Sequence, residues 1–322
     1  MGANHNISVA ICTYNGARYL REQLESIAGQ TVLPAELVVC DDGSVDMTLE
    51  IAADFARTAP FEVRIYRNQV RLGPTKNFEQ ATLLCRGEFI ALCDQDDWWD
   101  PKKLDVQADI LGATDAGGVF CNGLLMDNRS RLIGGSLWES ISFRKGGGFS
   151  KVANREEAIS ILLRGNVVTG ATIMFRSHLR DRLLPFPEEW IHDGWLAWML
   201  VLHSRLVACS DALIHYRVHA SQQVSVPGRS LFARLQRVRK TGDREYRSVE
   251  RQVSALRKYA ESHPEVCEAD LCRRIRALHE HAAFRAQLKQ SRWQTWKEIA
   301  RRRLEYTAHS NGWRSMLKDA LR

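Results

Sequence analysis

The chain has 322 residues, of which 45% are hydrophobic and 26% charged, with a formal net charge of +7. These values are ordinary for a globular protein, and the longest apolar runs, such as residues 195–202, are too short to cross a bilayer. Residues 1–6 are polar and do not resemble a secretion signal, so we expect a cytosolic protein. The eight cysteines lack Cys-X-X-Cys and Cys/His spacing, which argues for reduced thiols rather than a zinc site or disulfides.

The first hundred residues alternate between strand-like and helix-like patterns. Strands are predicted at residues 7–12, 36–41, 61–67 and 88–93, and helices at 17–28, 44–59 and 74–84. This alternation predicts an α/β fold with a mainly parallel sheet flanked by helices. Ligands bind such sheets beyond the carboxyl ends of the strands, where the sequence places polar residues after the first, second and fourth strands.

The pattern beyond Pro101 is mixed. We predict a strand at 118–126, a hairpin turn at 127–135, a Gly-rich loop at 145–150, a helix at 155–163, a strand at 170–176 and an amphipathic helix at 192–203. A domain boundary is predicted near Pro227. Residues 1–227 would then form the α/β domain, and residues 228–322 a basic helical extension.

An acidic segment, Asp94-Gln95-Asp96-Asp97, follows the predicted strand 88–93. Neighbouring carboxylates repel one another unless a cation neutralises them, and hard oxygen ligands suit Mg²⁺ or Mn²⁺. The alternative is an acidic surface turn. We favour the metal site because an apolar strand delivers the three carboxylates to a sheet edge.

A second acidic pair, Asp41-Asp42, ends the predicted strand 36–41. A carboxylate at such a strand end can accept a hydrogen bond from a nucleobase or a ribose hydroxyl. Alternatively, Asp42 and Ser44 cap the next helix. The two roles are compatible, and the sequence leaves both open.

These motifs together resemble the family 2 inverting glycosyltransferases with the GT-A fold, and their bacterial rhamnosyltransferase-like branch in particular. The resemblance covers about residues 7–225, and its matching segments are 9–15, 40–44, 68–77, 94–97, 192–195 and 216–219. It implies that the chain is a metal-dependent enzyme, and that the fold is a GT-A-like nucleotide-sugar-binding domain.

The resemblance also implies roles in donor binding. The residues that would line the nucleotide-sugar pocket are Thr13, Tyr14, Asn15, Asp41, Asp42 and Asp94, and those that would face its ribose and diphosphate are Arg71 and Lys76. Asp94 and Asp96 match the Asp-X-Asp motif that holds Mn²⁺ or Mg²⁺, and Asp97 would be a further ligand or a ribose contact. His219 would complete the metal shell, although a lone histidine near a strand end is often structural.

Asp193 matches the family's catalytic carboxylate. Inversion at the anomeric carbon needs a base opposite the departing diphosphate, to take the proton of the acceptor hydroxyl. Many relatives have Glu-Asp where this chain has His192-Asp193. Asp193 could also cap the helix 192–203, and capping and catalysis can coexist.

The resemblance further implies a saccharide acceptor, lipid-linked in some relatives, in cell-surface polysaccharide synthesis of the O-antigen or capsule type. Rhamnose from dTDP-rhamnose is the first donor it suggests. One alternative is a catalytically inactive nucleotide-sugar-binding module, against which the retained Asp193 argues. Another is a metal-dependent nucleotidyl- or phosphotransferase, but no Gly-X4-Gly-Lys-Ser/Thr loop is present.

Residues 228–322 carry 23 Lys and Arg against 11 Asp and Glu, a net charge of +12, whereas the remainder has a net charge of −5. This extension also contains Trp293, Trp296 and Trp313. Basic helices with interfacial tryptophans can lie on an anionic membrane, which would make the protein peripheral on the inner face of the cell membrane. The equal alternative is a helical bundle packed on the catalytic domain. No nucleic-acid-binding motif supports an RNA or DNA partner.

Overall fold

The computed structural model describes residues 5–141, 143, 154–219, 243–288, 292–310 and 312–320. The chain folds as two compact units. Unit 1 comprises Met1–Ala158 and Val167–Val226, and unit 2 comprises Ile159–Asn166 and Pro227–Arg322. The predicted Gly-rich loop at 145–150 and the predicted boundary near residue 227 lie outside the described residues.

Unit 1 is built on nine strands among the described residues. They are β1 (Ile7–Thr13), β2 (Glu36–Asp41), β3 (Glu62–Arg67), β4 (Phe89–Asp94), β5 (Trp98–Trp99), β6 (Gly118–Met126), β7 (Leu132–Ser136), β8 (Ile173–Arg176) and β9 (Leu206–Arg217). The helices are α1 (Leu20–Ala28), α2 (Thr48–Ala56), α3 (Pro74–Leu84), α4 (Lys103–Gly112), α5 (Leu137–Ser140), α7 (Arg180–Leu183) and α8 (His192–His203); α6 (Arg155–Leu162) contains residues of both units.

The strands form one sheet in the order β3-β2-β1-β4-β8-β6-β9-β5, and β7 pairs with β6. The first four are parallel, and every residue of β2 is buried, as expected for a strand covered on both faces. The register pairs Thr13 with Asp41 and Cys12 with Asp94. The polar residues that follow β1, β2 and β4 therefore meet at one edge of the sheet, as the sequence predicted.

The other half of the sheet is mixed. β8 runs antiparallel to both β4 and β6, whereas β9 runs parallel to β6. The sequence reading missed β9 and α4. The predicted strand at 170–176 is a 3-10 turn at Gly170–Thr172 followed by β8.

Two further local predictions are wrong. Helix α8 is not amphipathic, since all its residues from Gly194 to Leu202 are buried. Ser44 does not cap α2, which begins at Thr48 after Met47 and has no side-chain cap. The Ser44 hydroxyl instead donates to Asp41, because the turn after β2 holds it there.

Unit 2 contains helices α9 (Asp243–Ser262), α10 (Ala269–Gln287), α11 (Arg292–Arg301), α12 (Arg303–His309) and α13 (Trp313–Ala320). Its interior includes a buried ion pair, in which Arg285 donates two hydrogen bonds to Asp319 at 2.6 and 2.9 Å. The Tyr246 and Tyr306 hydroxyls also donate to Asp319, both at 2.7 Å. These contacts satisfy the buried carboxylate and fix α13 against α9, α10 and α12.

No helix within the described ranges is long and apolar enough to cross a membrane. None of the eight cysteines, all of which are described, forms a disulfide. The predicted α/β fold with a helical C-terminal region is confirmed.

Candidate active site

The loop after β1 is held by the acidic segment after β4. The Tyr14 N–H donates to the Gln95 Oε1 atom at 2.9 Å, and the Gln95 Nε2 atom donates to the Tyr14 carbonyl at 3.1 Å. Asn15 has a positive φ of 47°, a conformation that Asn tolerates better than most residues. Its N–H donates to the Ser44 hydroxyl at 2.8 Å, which ties this loop to the turn after β2.

Asp41 organises the turn after β2. Its carboxylate is fully buried and accepts hydrogen bonds from the Thr13 hydroxyl (2.9 Å), the Gly43 and Ser44 N–H groups (3.1 and 2.8 Å) and the Ser44 hydroxyl (2.5 Å). Protein donors thus surround both oxygens. Asp41 therefore shapes the edge of the sheet, and it connects Thr13 to the turn at Gly43.

Asp42 organises a different segment. Its Oδ1 atom accepts from the Leu72 N–H at 2.7 Å and from the Asn68 side chain at 2.9 Å, and its Oδ2 atom accepts from the Gly73 N–H at 2.9 Å. Gly73 has a φ of 78°, which favours glycine. Asp42 thereby fixes residues 68–73, the segment that leads into α3.

An open cleft of about 580 Å³ lies at this edge of the sheet. Its lining residues are Tyr14, Asp42, Gly43, Arg67, Asn68, Gln69 and Arg71. The Arg71 guanidinium lies 3.9 Å from the centre of the Tyr14 ring and 3.9 Å from the Asp42 carboxylate, and its side chain is 56% exposed. An aromatic ring, an arginine and buried carbonyl and amide groups are suited to a planar base linked to an anion.

Lys76 lies in the first turn of α3, where its Nζ atom is 2.9 Å from the Glu79 carboxylate. Glu79 also accepts a hydrogen bond from the Phe186 N–H at 2.6 Å. Lys76 is therefore paired, and it would have to leave Glu79 to reach a diphosphate.

The acidic segment after β4 brings carboxylates close together. The pKa of Asp94 is raised to about 7, first by burial and then by the negative charges of Asp96 and Asp193. The Asp96 Oδ2 atom lies 2.7 Å from the His219 Nε2 atom. Asp94, Asp96, His219 and Asp193 therefore belong to one cluster, although they come from three distant parts of the sequence.

Asp97 points into the protein. Its side chain is fully buried, Oδ1 accepts from the Arg217 N–H at 2.9 Å, and Oδ2 has no hydrogen-bond partner among the described residues. Burial raises its pKa well above the ordinary range. The Arg217 side chain donates to the Asp96 carbonyl at 2.6 Å and to Glu22 at 2.7 Å. Arg217 thus joins the end of β9 to the acidic segment.

Asp193 lies in the first turn of α8, and Ile191 is the residue before the helix. Its Oδ1 atom accepts from the Gly194 N–H at 2.5 Å, and the Gly170 backbone also hydrogen-bonds to the carboxylate. Burial raises the pKa of Asp193 to about 6 despite these bonds. The group is thus ionised at neutral pH, yet it is more basic than an ordinary aspartate.

The carboxylate cluster offers ligands of the kind that a divalent cation needs. Within the described part of the chain, no three His, Cys, Asp or Glu side chains already stand in a ligand arrangement. The chemistry nevertheless fits, because the carboxylates of Asp94 and Asp96 repel each other and His219 already contacts Asp96. Oxygen ligands with one imidazole suit Mn²⁺ or Mg²⁺.

A cleft at the carboxyl ends of parallel strands, beside a carboxylate cluster, lies where α/β proteins with such sheets bind their ligands. The family model for glycosyl transferase family 2 matches residues 8–180. The chain belongs to this family, which confirms the family resemblance seen in the sequence. Its likeness to the rhamnosyltransferase branch stays a prediction.

Among curated relatives, an uncharacterised glycosyltransferase of Nostoc sp. is 25% identical over 223 residues, which cover 67% of this chain and 65% of the relative. Three uncharacterised mycobacterial proteins are 37% identical over 107 residues, 33% of this chain and 31% of each relative. The chain therefore spans less than two thirds of the length of these relatives.

Solved structures show the same GT-A fold. S. aureus TarS 1–349 in complex with UDP-GlcNAc has a TM-score of 0.59 at 19% identity, over 94% of this chain and 81% of that chain. The mannosyltransferase PcManGT from Pyrobaculum calidifontis, in complex with GDP-Man and Mn²⁺, has a TM-score of 0.56 at 18% identity, over 98% of this chain and 85% of that chain.

Sequence reasoning did not assign roles to Gln95 and Arg217. Gln95 stands inside the Asp94–Asp97 segment and Arg217 next to His219, so both were within recognised motifs. Their position inside these motifs was the signal that they matter. Their contacts could not be predicted from local sequence, because the bonds that they make join residues 81 and 121 positions apart.

Proposed function

We propose that this protein is an inverting, divalent-cation-dependent glycosyltransferase that moves one sugar from a nucleotide-sugar to a hydroxyl group of a saccharide acceptor. The observation that carries the proposal is Asp193, which follows the family 2 match at residues 8–180 and lies in the carboxylate cluster with Asp94. Its charge raises the pKa of Asp94, and its own pKa is raised to about 6. A base with a pKa near the working pH is well suited to accept a proton.

The nucleotide would occupy the cleft beside Tyr14, with its base on the exposed part of that ring. Asp42 would keep residues 68–73 in place around the ribose. Arg71 is more than half exposed and rests on Tyr14, so its side chain can turn towards the diphosphate. We assign Thr13, Asn15 and Asp41 to the same pocket, since Thr13 donates to Asp41 and Asn15 donates to Ser44, whose hydroxyl also donates to Asp41.

Asp94, Asp96 and His219 would hold Mn²⁺ or Mg²⁺. Asp97 would support Asp96 indirectly, because it accepts a hydrogen bond from the Arg217 N–H and the Arg217 side chain donates to the Asp96 carbonyl. When bound, the cation would neutralise the diphosphate and stabilise the departing nucleoside diphosphate. The complex of PcManGT with Mn²⁺ supports a cation in a protein of this fold. Arg71, and Lys76 once it leaves Glu79, would add positive charge to the same group.

In the reaction, Asp193 takes the proton of the acceptor hydroxyl. The acceptor oxygen then forms a bond to the anomeric carbon, while the bond from that carbon to the diphosphate oxygen breaks on the opposite face. The configuration is inverted, and the nucleoside diphosphate leaves with the electron pair. Asp193 ends as a carboxylic acid and returns its proton to solvent.

For the donor, we propose dTDP-rhamnose first, and for the acceptor a growing cell-surface saccharide of the O-antigen or capsule type. The resemblance to the rhamnosyltransferase-like branch supports both. The rival is an inactive module that binds the nucleotide-sugar but does not transfer it. Asp193 favours the enzyme, because an inactive module gains nothing from an ionised carboxylate whose burial is unfavourable.

The test is to incubate the full chain with UDP-, GDP- and dTDP-sugars and Mn²⁺, and to measure the nucleoside diphosphate released as water replaces the acceptor. We expect release from at least one donor and its loss in Asp193→Asn. If a donor binds without any release, the inactive module is correct. If none binds or reacts, the transferase proposal is wrong.

We also propose that unit 2 brings the enzyme to an anionic membrane surface. Helical hydrogen bonds continue from α11 to α12 through Arg302, whose N–H donates to the Glu298 carbonyl and whose carbonyl accepts from Tyr306, both at 3.2 Å. Trp296 and Leu304 are eight residues apart and so share one face; they are 43% and 78% exposed.

Basic residues flank this pair. Lys297, Arg301 and Arg303 are exposed, whereas Ile299 and Tyr306 are fully buried. Exposed apolar side chains beside cations are typical of a helix that lies on anionic lipid. The net charge of +12 over residues 228–322 supports the same partner.

A further inference from the structure

His192 is a buried histidine next to the proposed base. It is the first residue of α8 and is 6% exposed. Its ring is stacked on that of Phe78, with 4.1 Å between the ring centres and an angle of 30° between the planes. Among the described residues, neither ring nitrogen of His192 has a hydrogen-bond partner. Burial lowers its pKa to about 3, so the ring is neutral at physiological pH.

A buried N–H group without a hydrogen-bond partner is unfavourable, so the presence of a histidine at this position requires a structural explanation. The geometry at Gly170 provides one. A Cβ atom at position 170 would lie 2.4 Å from the His192 Nε2 atom, so the tip of the imidazole rests against the Gly170 backbone. A six-membered ring would reach further and collide there. Imidazole is a flat ring that stacks on Phe78 and contacts the Gly170 backbone without a clash.

His192 therefore touches both elements that hold Asp193. The Gly170 backbone hydrogen-bonds to the Asp193 carboxylate, and the Gly194 N–H of the first turn of α8 does so at 2.5 Å. His192 packs on Gly170 and begins that first turn. Its ring therefore bears on the Gly170 backbone, while its own backbone belongs to the turn that carries the Gly194 N–H.

We propose that His192 is a positioning residue for Asp193: its ring, set between Phe78 and Gly170, holds the first turn of α8 against the Gly170 backbone, so that both groups that hydrogen-bond to the carboxylate keep their places. This rests on the proposed function, in which Asp193 is the base. His192 itself transfers no proton. Its contribution is to the geometry of the proton acceptor, on which the rate depends steeply.

Two variants test the proposal from opposite sides of the contact. His192→Ala removes the ring, and Gly170→Ala pushes a methyl group into it. The matched control is His281→Ala in unit 2, because His281 is 1% exposed, has a pKa lowered to about 3, and likewise has two ring nitrogens without a hydrogen-bond partner among the described residues. Turnover is measured as nucleoside diphosphate release from the best donor of the UDP-, GDP- and dTDP-sugar panel.

We expect both variants at the site to lower kcat by about tenfold or more while KM for the donor changes by less than about threefold, since the base moves but the donor cleft does not. The control should lose thermal stability and keep its kcat. If His192→Ala is folded and keeps the parental kcat, or if His281→Ala lowers kcat equally, the proposal is wrong. Should His192→Ala not fold, His192→Asn leaves a smaller gap and takes its place.

A second measurement needs no turnover. Asp193→Asn should raise Tm in the parent, because it removes a buried charge. It should raise Tm less in the His192→Ala background, where the vacated space lets water reach the carboxylate. Equal Tm gains in both backgrounds would overturn the link between the two residues. A parent that releases no nucleoside diphosphate would contradict the proposed function, whereas this comparison would still decide whether His192 acts on Asp193.

Discussion

The side-chain amide of Gln95 pairs with the backbone of Tyr14 as a neighbouring strand would, accepting from its N–H at 2.9 Å and donating to its carbonyl at 3.1 Å. The pair joins the aromatic wall of the proposed nucleotide cleft to the acidic segment after β4. Gly16 makes room for it, since a Cβ atom there would lie 2.1 Å from the Gln95 Oε1 atom. The donor pocket and the proposed cation ligands are thus held by one side chain.

Replacing Gln95 should loosen Tyr14. In Gln95→Ala both hydrogen bonds are lost, and at about 0.5–1.5 kcal/mol each we expect about 1–3 kcal/mol less stability, together with weaker nucleotide binding. Gln95→Glu can still accept from the Tyr14 N–H, but it sets a carboxylate oxygen against the Tyr14 carbonyl and adds a charge beside Asp94 and Asp96, so we expect it to lose at least as much stability. Chemical denaturation and nucleotide titration measure both effects. Parental affinity in Gln95→Ala would mean that Tyr14 does not need this support.

The sheet edge could be predicted from the sequence because its signal is local. Apolar runs such as 36–41 end in polar residues, and parallel strands bring those ends together whatever the rest of the chain does. The bonds made at that edge could not be predicted in the same way. Ser44 has the chemistry of a helix cap, but its hydroxyl donates to Asp41, because the turn after β2 places that carboxylate closer than the start of α2.

Two errors beyond residue 190 have another cause. Eight of the twelve residues of α8 are hydrophobic, a pattern that predicts one apolar face, whereas nearly the whole helix is buried. β9 includes the polar stretch Ser210-Asp211, which breaks the alternation that marks a strand, and the pairing of β9 with β6 shifts register in this region. Burial on all sides and strand irregularities are set by tertiary packing, which a local pattern does not record.

Asp96→Ala should weaken nucleotide binding only when a divalent cation is present, and should abolish transfer. The reason is that Asp96, in contact with His219 at 2.7 Å, is proposed to hold the cation rather than the nucleotide itself. Calorimetry with Mn²⁺ and with a chelator separates the two cases. Glu62→Ala, a change at an exposed carboxylate on β3, is the control. Equal Mn²⁺-dependent affinity in Asp96→Ala and the parent would exclude Asp96 from the cation site.

The rate should fall in acid as Asp193 is protonated. Burial raises the pKa of this carboxyl to about 6, and its protonated form is too weak a base to take the acceptor proton. We expect kcat/KM to decline about tenfold per pH unit below about pH 6. Asp193→Asn should be at least about a hundredfold slower at pH 7 and lack this decline. A parental profile that is flat down to pH 5 would assign proton removal to another group.

The contribution of Asp193 to the stability of the fold should increase in acid, whereas its contribution to the rate decreases. Its pKa is raised from 3.8 to about 6 in the folded protein, so its favourable contribution is complete below pH 3.8 and lost as the pH rises through 6. At pH 7.5 the ionised, partly buried carboxylate is unfavourable, and Asp193→Asn should stabilise the fold by at most about 3 kcal/mol. The gain should shrink towards pH 4.5. Denaturation at the two pH values measures it, and a loss of stability at pH 7.5 would contradict the burial argument.

The membrane surface of unit 2 should depend on both charge and apolar contact. Each Lys or Arg near anionic lipid contributes about 1 kcal/mol, so Lys297→Glu with Arg301→Glu should weaken binding to anionic vesicles by at least about 30-fold. Trp296→Ser with Leu304→Ser should weaken it by removing the apolar contact. Matched controls in unit 1 are Arg57→Glu and Met47→Ser, since Arg57 has a 71% exposed side chain and Met47 is 60% exposed.

Co-sedimentation with vesicles tests whether the extension binds an anionic membrane. The full chain should pellet with anionic vesicles at low salt, leave them as salt screens the charges, and ignore neutral vesicles. If the parent stays in solution with anionic vesicles at low salt, the membrane proposal fails, and the extension is then the helical bundle that the sequence also allowed. If the parent binds but the unit 1 controls weaken it as much as the unit 2 variants do, the attraction comes from overall charge and not from the surface around Trp296 and Leu304.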